Sequence, residues 1–395
     1  MLSRLKFNLS QLANEMLDQL PEQVFISDST TFYDPAMGGG QFLIEVVNRL
    51  RKYNHFDANI SKRIFGSEEN KLRVNYVKNL HKLPGEFRTE LIEDMKFDVV
   101  IGNPPFQELD NNGRSKANSG SNLYGRFIDL GIKVLKENGY LSLISPIAWT
   151  GYDAKIGGIF RTKNIVYLNL NECAKHFKGI GSTFSYYIIQ NSLKQGKTKY
   201  KSEFAGNVYE GNEILFNQIP FIPQLLSPLS LSIIDKVYNN NLPKYSYVRD
   251  NSLHSQKINI SKNITPYKAF HFHYNNGFYS EHPHPKVGSK KKVLVGPGRL
   301  GLKQEFGFFD KNCEYHPTQN CIFSTVDTNQ EGNYKLVFLR SKLVQFLLRI
   351  VETGSFWEKK MLTGIPYIEP TTEEDLYNIL GLTQEEIDLI EKFIN

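Results

Sequence analysis

Residues 30–53, TTFYDPAMGGGQFLIEVVNRLRKY, decide the fold. The β-branched and aromatic start reads as a strand. Asp34–Gly40 is a glycine turn, and Phe42, Leu43, Val46, Val47 and Leu50 then recur at helical spacing. Strand, turn and helix in that order form the opening unit of a wound α/β sheet. Residues 60–80, ISKRIFGSEENKLRVNYVKNL, repeat the form, with a strand ending near Gly66 and a helix after it. A third strand, Phe97–Ile101, is cut short by Asn103-Pro104-Pro105-Phe106, because consecutive prolines can sustain neither helix nor ladder.

Upstream, Leu12, Ala13, Met16, Leu17 and Leu20 mark a helix over residues 8–20 that Pro21 ends. Downstream, the polar residues 107–123 read as a loop. A helix Leu123–Glu137, a turn at Asn138–Gly139 and a strand at 140–146 follow. Two further strands, NIVYLNL (164–170) and FSYYIIQNSL (184–193), complete a mostly parallel sheet. The lysine-bearing stretch 194–204 reads as a linker or domain edge. Beyond it the alternation stops. Residues 282–303 are basic and rich in turn formers, 336–351 read as one amphipathic helix, and 371–395 as two short helices with Thr-x-x-Glu or Thr-x-x-Asp starts. No internal repeat is visible. A chain of 395 residues suits two domains, drawn here at 1–200 and 201–395.

Composition bounds the function. With 40% hydrophobic and 22% charged residues, the chain has material for ordinary cores, which excludes wholesale disorder. No apolar run reaches bilayer-spanning length and the N-terminus lacks a signal-peptide core, so a cytoplasmic protein without a membrane segment is expected. Three cysteines exclude a disulfide framework and suit a reducing compartment. The net charge of +6 suits a polyanionic partner.

The chemistry lies at the strand ends. Gly38 and Gly40 allow a ligand to lie against bare backbone where the first strand stops. Asp34 beside them argues against a phosphate and for an amine-bearing or cationic ligand, such as the aminopropyl part of S-adenosylmethionine. The plain alternative is a tight turn. Glu68, after the second strand, suits hydrogen bonds from two ribose hydroxyls, with Glu69 competing on sequence alone. At the third strand, Asn103-Pro104-Pro105-Phe106 suits methylation of an exocyclic amine. The lone pair of such an amine is delocalised into its ring. The Asn103 side-chain oxygen and the Pro104 carbonyl can each accept one N–H, which favours the tetrahedral, positively charged nitrogen of the transition state. The prolines pre-aim both acceptors, and Phe106 offers a face to a planar base.

The series FYDPAMGGGQFL, FGSEEN, FDVVIGNPPF, LYGRFIDLGIKVLKENGYLSLISPIAW and FKGIGSTFSYYIIQN resembles the gamma-type N6-adenine DNA methyltransferases of restriction–modification systems, of which the TaqI methylase is an example. The resemblance covers the first half of the chain, with a looser likeness in GIPYIEP and EEDLYNILGLTQEEI near the C-terminus. It implies a Rossmann-like α/β methyltransferase domain that binds S-adenosylmethionine, followed by a mixed α+β target-recognition domain. By resemblance, Asp34, Gly38, Gly40 and Glu68 hold the cofactor, and Asn103, Pro104 and Phe106 hold the target base. Phe184 is the second aromatic on that base, with Phe177 close behind. The implied substrate is adenine N6 in double-stranded DNA, and a separately encoded restriction endonuclease is an allowed partner. Asn8-Leu9 departs from the usual Thr-Pro, Met37 stands where a smaller residue is usual, and Glu86 is the candidate beside the cofactor's adenine.

N6 lies inside the duplex stack, so the base must be flipped out. Candidate DNA contacts are Arg114 and Lys116 in the loop after Phe106, and Lys290, Lys291, Lys292 and Arg299 in the basic segment, with Lys286 and Lys303 beside them. A solvated basic loop is the alternative. His271, His273, His282, His284, Cys313, His316 and Cys321 lack metal-site spacing, so no metal is expected. Glu358-Lys359-Lys360 has the shape of a nuclease fragment but no acidic partner precedes it. N4-cytosine in DNA, adenine in RNA, and a non-catalytic cofactor- or DNA-binding module are the competing readings.

Overall fold

The computed structural model describes residues 2–106, 123–150, 159–160, 162–177, 184–193, 196–213, 221–253, 260–261, 265–271, 277–296, 306–351, 361–362 and 364–394. The chain divides into two compact units, residues 1–149 with 154–214, and residues 150–153 with 215–395.

The first unit is built on β1 (Phe32–Asp34), β2 (Ile64–Ser67), β3 (Glu86–Arg88), β4 (Phe97–Gly102), β5 (Leu135–Pro146), β6 (Lys163–Asn169), β7 (Phe184–Leu193), β8 (Thr198–Phe204) and β9 (Asn207–Glu213). They form one nine-stranded sheet in the order β3-β2-β1-β4-β5-β7-β6-β8-β9. Strands β3 to β5 run parallel, and β7 lies antiparallel between β5 and β6. The chain winds from β1 outward to β2 and β3, then returns to β4 on the other side. That reversal opens a crevice at the C-terminal ends of β1 and β4, where such sheets bind ligands.

Parallel strands covered on both faces should be apolar throughout, and β1 is buried at all three residues. The predicted helix after the glycine turn is Gln41–Lys52, and Phe42, Leu43, Val46, Val47 and Leu50 are the residues it buries. The N-terminal helix Leu2–Leu17 sets Leu12, Ala13, Met16 and Leu17 into the same core, fully enclosed. Asp98 pins the start of β4 to its neighbours. Its Oδ2 accepts from Thr31 N at 2.8 Å, Thr31 Oγ1 at 2.7 Å and Lys136 Nζ at 2.7 Å.

Three local readings change. The helix expected over 123–137 ends at Val134, and β5 begins at Leu135, with Asn138 at φ 59° inside it. The expected linker is β8, paired with β6 and β9, so the first unit runs past residue 200. Its lysines disguised a period of two, in which Thr198, Tyr200, Ser202 and Phe204 point inward. The helix expected over 336–351 is two helices, Asn329–Arg340 and Lys342–Val351, broken at Ser341. The hydroxyl of Ser341 donates to Phe338 O and accepts from Val344 N, closing one helix and capping the next.

The second unit is mixed α+β. It holds a four-stranded sheet, β10 (Ile260–Ser261), β12 (Tyr279–Ser280), β11 (Tyr267–Phe270) and β15 (Tyr315–Pro317), in that order. A three-stranded sheet orders β14 (Phe308–Asp310), β13 (Lys292–Val295) and β16 (Ile322–Thr325). The two predicted terminal helices are Glu373–Leu380 and Gln384–Ile394. The Thr372 hydroxyl caps the first by accepting from Asp375 N at 3.1 Å. Thr383 and Glu386 cap the second reciprocally. No helix among the described residues is long and apolar enough to cross a membrane.

Candidate active site

Asp34 ends β1 with its side chain 1% exposed. Its Oδ1 accepts from Ala36 N at 3.0 Å. Gly102, at the end of β4, makes this approach possible, since a Cβ there would stand 2.5 Å from the same Oδ1. Burial pushes the Asp34 carboxyl up to about 7; the Ala36 N–H opposes that shift and the nearby Glu68 charge adds to it. A buried acid poised near neutrality attracts any cation that can replace its lost water.

Gly38 and Gly40 have φ of 55° and 82°, which only glycine adopts without strain. Gly38 faces the crevice. Gly40 starts the helix Gln41–Lys52, and a Cβ on it would meet Val77 at 3.2 Å, so it shapes the turn from behind. Glu68, after β2, is 8% exposed. Its Oε1 accepts from Asn70 N at 3.0 Å, and Arg73 Nη1 lies 3.6 Å from Oε2. Glu69 is exposed. Met37 N donates to Ser67 O at 2.9 Å, and its sulfur covers Gly66, where a Cβ would come within 2.5 Å of it.

Asn103 follows β4 with its Oδ1 buried and, among the described residues, without a hydrogen-bond partner. Leaving such an acceptor unpaired costs about 1–3 kcal/mol, which a protein tolerates where a ligand supplies the donor. Asp34, Gly38, Glu68, Glu69, Asn103 and Pro105 all line one cavity of about 770 Å³. Pro104 is buried and does not line it. Of the aromatic candidates, none lines this cavity: Phe184 is buried in the core, and the partly buried Phe106 and Phe177 pack against it. Phe106 lies 5.1 Å from Phe184 with rings tilted by 34°, and Phe177 lies 4.6 Å from Phe184 at 38°.

Sequence reasoning missed several lining residues, among them Thr89, Leu91, Arg126 and Phe127. Thr89 and Leu91 follow β3 as Glu68 follows β2, so position after a strand was the available signal. Leu91 is 45% exposed. Leu9, at the departure from Thr-Pro, does reach the cavity. Glu86 does not line it and pairs with Arg88.

The basic candidates divide. Arg114, Lys116, Arg299 and Lys303 lie outside the described residues, as do His273 and Glu358-Lys359-Lys360. Lys290 is exposed and Lys291 half-buried. Lys286 is exposed and holds Asp250 at 2.6 Å. Lys292 is a correction. It is fully buried on β13, 2.8 Å from Asp310 Oδ2, and donates to Lys290 O, so it serves the fold and cannot reach a phosphate. Among the described residues no group of histidines, cysteines and acids could hold a metal ion.

The wound sheet, with β7 and β9 reversed, carries an acid at the end of β1, another after β2 and Asn-Pro-Pro-Phe after β4; it is Rossmann-like and mostly parallel, as read from the sequence. Residues 3–173 match the family model of the Eco57I restriction-modification methylase, and these residues carry the likeness to restriction–modification methylases. An adenine-specific methylase of Mycoplasma pneumoniae, itself uncharacterized, is 32% identical over 120 residues, covering 28% of this chain and 27% of the relative. The chain therefore spans about a quarter of that relative's length. Among solved structures, the type IIG restriction endonuclease BpuSI is 11% identical with a TM-score of 0.43, covering 98% of this chain and 60% of its own. The type IIL restriction-modification enzyme MmeI in complex with DNA is 11% identical with a TM-score of 0.43, covering 95% and 67%.

Proposed function

We propose that the chain is an S-adenosylmethionine-dependent DNA methyltransferase that modifies adenine N6 in a flipped-out base. The observation that carries the reading is the buried Oδ1 of Asn103, unpartnered among the described residues, in the same cavity as the buried Asp34 and Glu68. S-adenosylmethionine, when bound, supplies a methyl group on a sulfonium. The donor set fits it: Asp34 and Glu68 are acceptors, suited to an ammonium and to ribose hydroxyls, and Gly38 leaves backbone bare between them. A cavity of about 770 Å³ accommodates a nucleoside of that size with a base beside it.

Asn103 Oδ1 and the Pro104 carbonyl accept the two N–H groups of the target amine. Their hydrogen bonds strengthen as the nitrogen becomes tetrahedral and positive, so they favour the transition state over the ground state. The paired prolines hold both acceptors in place before the base arrives. Phe106, backed by Phe184 and Phe177, offers the face against which the base stacks, worth about 1–3 kcal/mol. That contribution offsets the few kcal/mol of unstacking. The second unit recognises the DNA.

The test supplies labelled S-adenosylmethionine with mixed-sequence duplex DNA, total RNA and a cell protein extract in parallel. The expected label is in N6-methyladenine from duplex DNA. Label in N4-methylcytosine, or only in RNA or protein, overturns the substrate; bound cofactor with no label in any arm overturns the enzyme reading.

A further inference from the structure

The second unit has a cavity of its own, of about 660 Å³, which no part of the methyl-transfer reading uses. Tyr267, Pro283 and Pro285 give it flat walls, and His316 and Glu314 give it polar groups. His316 is 6% exposed and stands edge-on to Tyr267 at 5.1 Å. Its Nδ1 accepts from His284 N at 3.0 Å, so the ring proton sits on Nε2. Burial first, then the Lys292 charge, pushes His316 down to about 4, so the ring stays neutral. Nε2–H makes no hydrogen bond among the described residues. Gly288 lets the proline loop pass against this ring, where a Cβ would meet it at 3.0 Å. Glu314 is exposed, accepting from Lys268 Nζ at 2.7 Å and Asn312 Nδ2 at 3.2 Å, with lone pairs left over.

One donor, one acceptor and flat walls match an amine-bearing nucleobase, which offers a ring acceptor next to an N–H₂ donor. Thymine lacks that amine. The loop that carries the two prolines continues through Ser289, also at the cavity, into Lys290 and Lys291. Lys290 is exposed and Lys291 half-buried, and charges of that kind suit backbone phosphates.

We propose that this cavity takes one nucleotide of the DNA substrate, one whose base carries an exocyclic amine beside a ring acceptor (adenine, cytosine or guanine), with its base between Tyr267 and the Pro283–Pro285 edge, hydrogen-bonded to His316 Nε2–H and Glu314, and its phosphate against Lys290 and Lys291. This rests on the reading of the chain as a DNA methyltransferase and assigns one determinant of its recognition sequence.

Cys313 lines the same cavity and is half-buried, while Cys173 and Cys321 are buried. Its reaction with a chromogenic disulfide reports occupancy in the full chain, independently of turnover. Duplex DNA containing the methylated sequence should slow that reaction at least about tenfold, whereas AMP, CMP or TMP at millimolar concentration should not. Glu314→Gln, at an exposed position, should weaken the protection and relax one position of the recognition sequence roughly tenfold or more. DNA that is methylated by the same preparation yet leaves Cys313 fully reactive overturns this proposal and leaves the methyltransferase reading standing. Protection by a mononucleotide equal to that by DNA overturns the DNA source. Failure to bind or methylate any DNA overturns the parent reading, and the proposal with it.

Discussion

Replacing Asp34 with asparagine should make the protein more stable at alkaline pH while removing its affinity for a cationic cofactor. Burial holds the Asp34 carboxyl at about 7 in the protein alone, against about 3.9 for an unfolded chain. The folded state therefore keeps a proton that the unfolded state has already released. Stability falls as pH rises from about 4 to about 7, and the fall is complete above the folded value. A shift of about 3 units at 1.36 kcal/mol each makes the ionised Asp34 a burden of about 4 kcal/mol at pH 8. Of this, about 2 kcal/mol accrues between pH 5.5 and pH 8. Asp34→Asn removes the ramp but buries an amide whose N–H₂ lacks a partner, at about 1–3 kcal/mol at every pH. Urea unfolding of both proteins at pH 5.5 and pH 8 isolates the effect. The variant should gain about 2 kcal/mol on the wild type between the two pH values, and every other titration cancels in that difference. Parallel pH slopes would refute the claim that Asp34 is a desolvated acid. Calorimetry supplies the other half: wild-type affinity for S-adenosylmethionine should weaken up to tenfold per pH unit below about 7, because binding must displace the proton, while Asp34→Asn should bind weakly at all pH values.

Asn103→Ala should lower methyl transfer by at least about a hundredfold with cofactor affinity nearly intact, as when one pre-aimed transition-state partner is lost; full activity would remove Asn103 from the mechanism. Phe106→Ala should reduce transfer less completely under the same single-turnover assay. Gly102→Ala should destabilise the protein by about 1–3 kcal/mol, because its Cβ would stand 2.5 Å from Asp34 Oδ1, and an unchanged denaturation midpoint would contradict that packing. Asp310→Ala should cost about 3–5 kcal/mol by stranding the buried Lys292, whereas Lys290→Ala should leave stability alone and reduce the salt slope of DNA binding by about one.

Legibility followed periodicity and position. The helix after the glycine turn was readable because its five apolar residues are the ones it buries. β8 was misread because alternate lysines masked a period of two, and Ser341 was passed over because a single serine breaks a helix without the usual glycine or proline. At the cavity, Asp34, Glu68 and Asn103 were legible since each stands at or just past the end of a strand and each is polar where the sheet is otherwise apolar. Thr89 and Leu91 hold the same kind of position after β3, but strand β3 is only three residues long and carries no hydrophobic run. Lys292 shows the opposite failure. Within Lys290-Lys291-Lys292 the charges look equivalent, and only pairing with β14 turns the third one inward onto Asp310. Recognition residues share that difficulty. His316 and Tyr267 meet because β11 and β15 are neighbours, a juxtaposition no local pattern announces.

Asp34 and Asn103 are both polar groups held at a cost, and they end adjacent strands, β1 and β4. Their needs differ in kind. Asp34 lacks compensation for a charge, which a cation supplies, whereas Asn103 Oδ1 lacks a donor, which an amine supplies. A cofactor that satisfies Asp34 therefore leaves the cost at Asn103 in place until the second substrate enters. That separation lets the amine's hydrogen bond be made to an acceptor already stripped of water and already aimed, so little reorganisation remains for the step that places positive charge on nitrogen. It also sets the order of effects in variants. Losing Asp34 should act on cofactor binding, and losing Asn103 on turnover. A protein in which both substitutions weakened cofactor binding equally would show that the two residues act as one acidic patch, with no division between binding and catalysis.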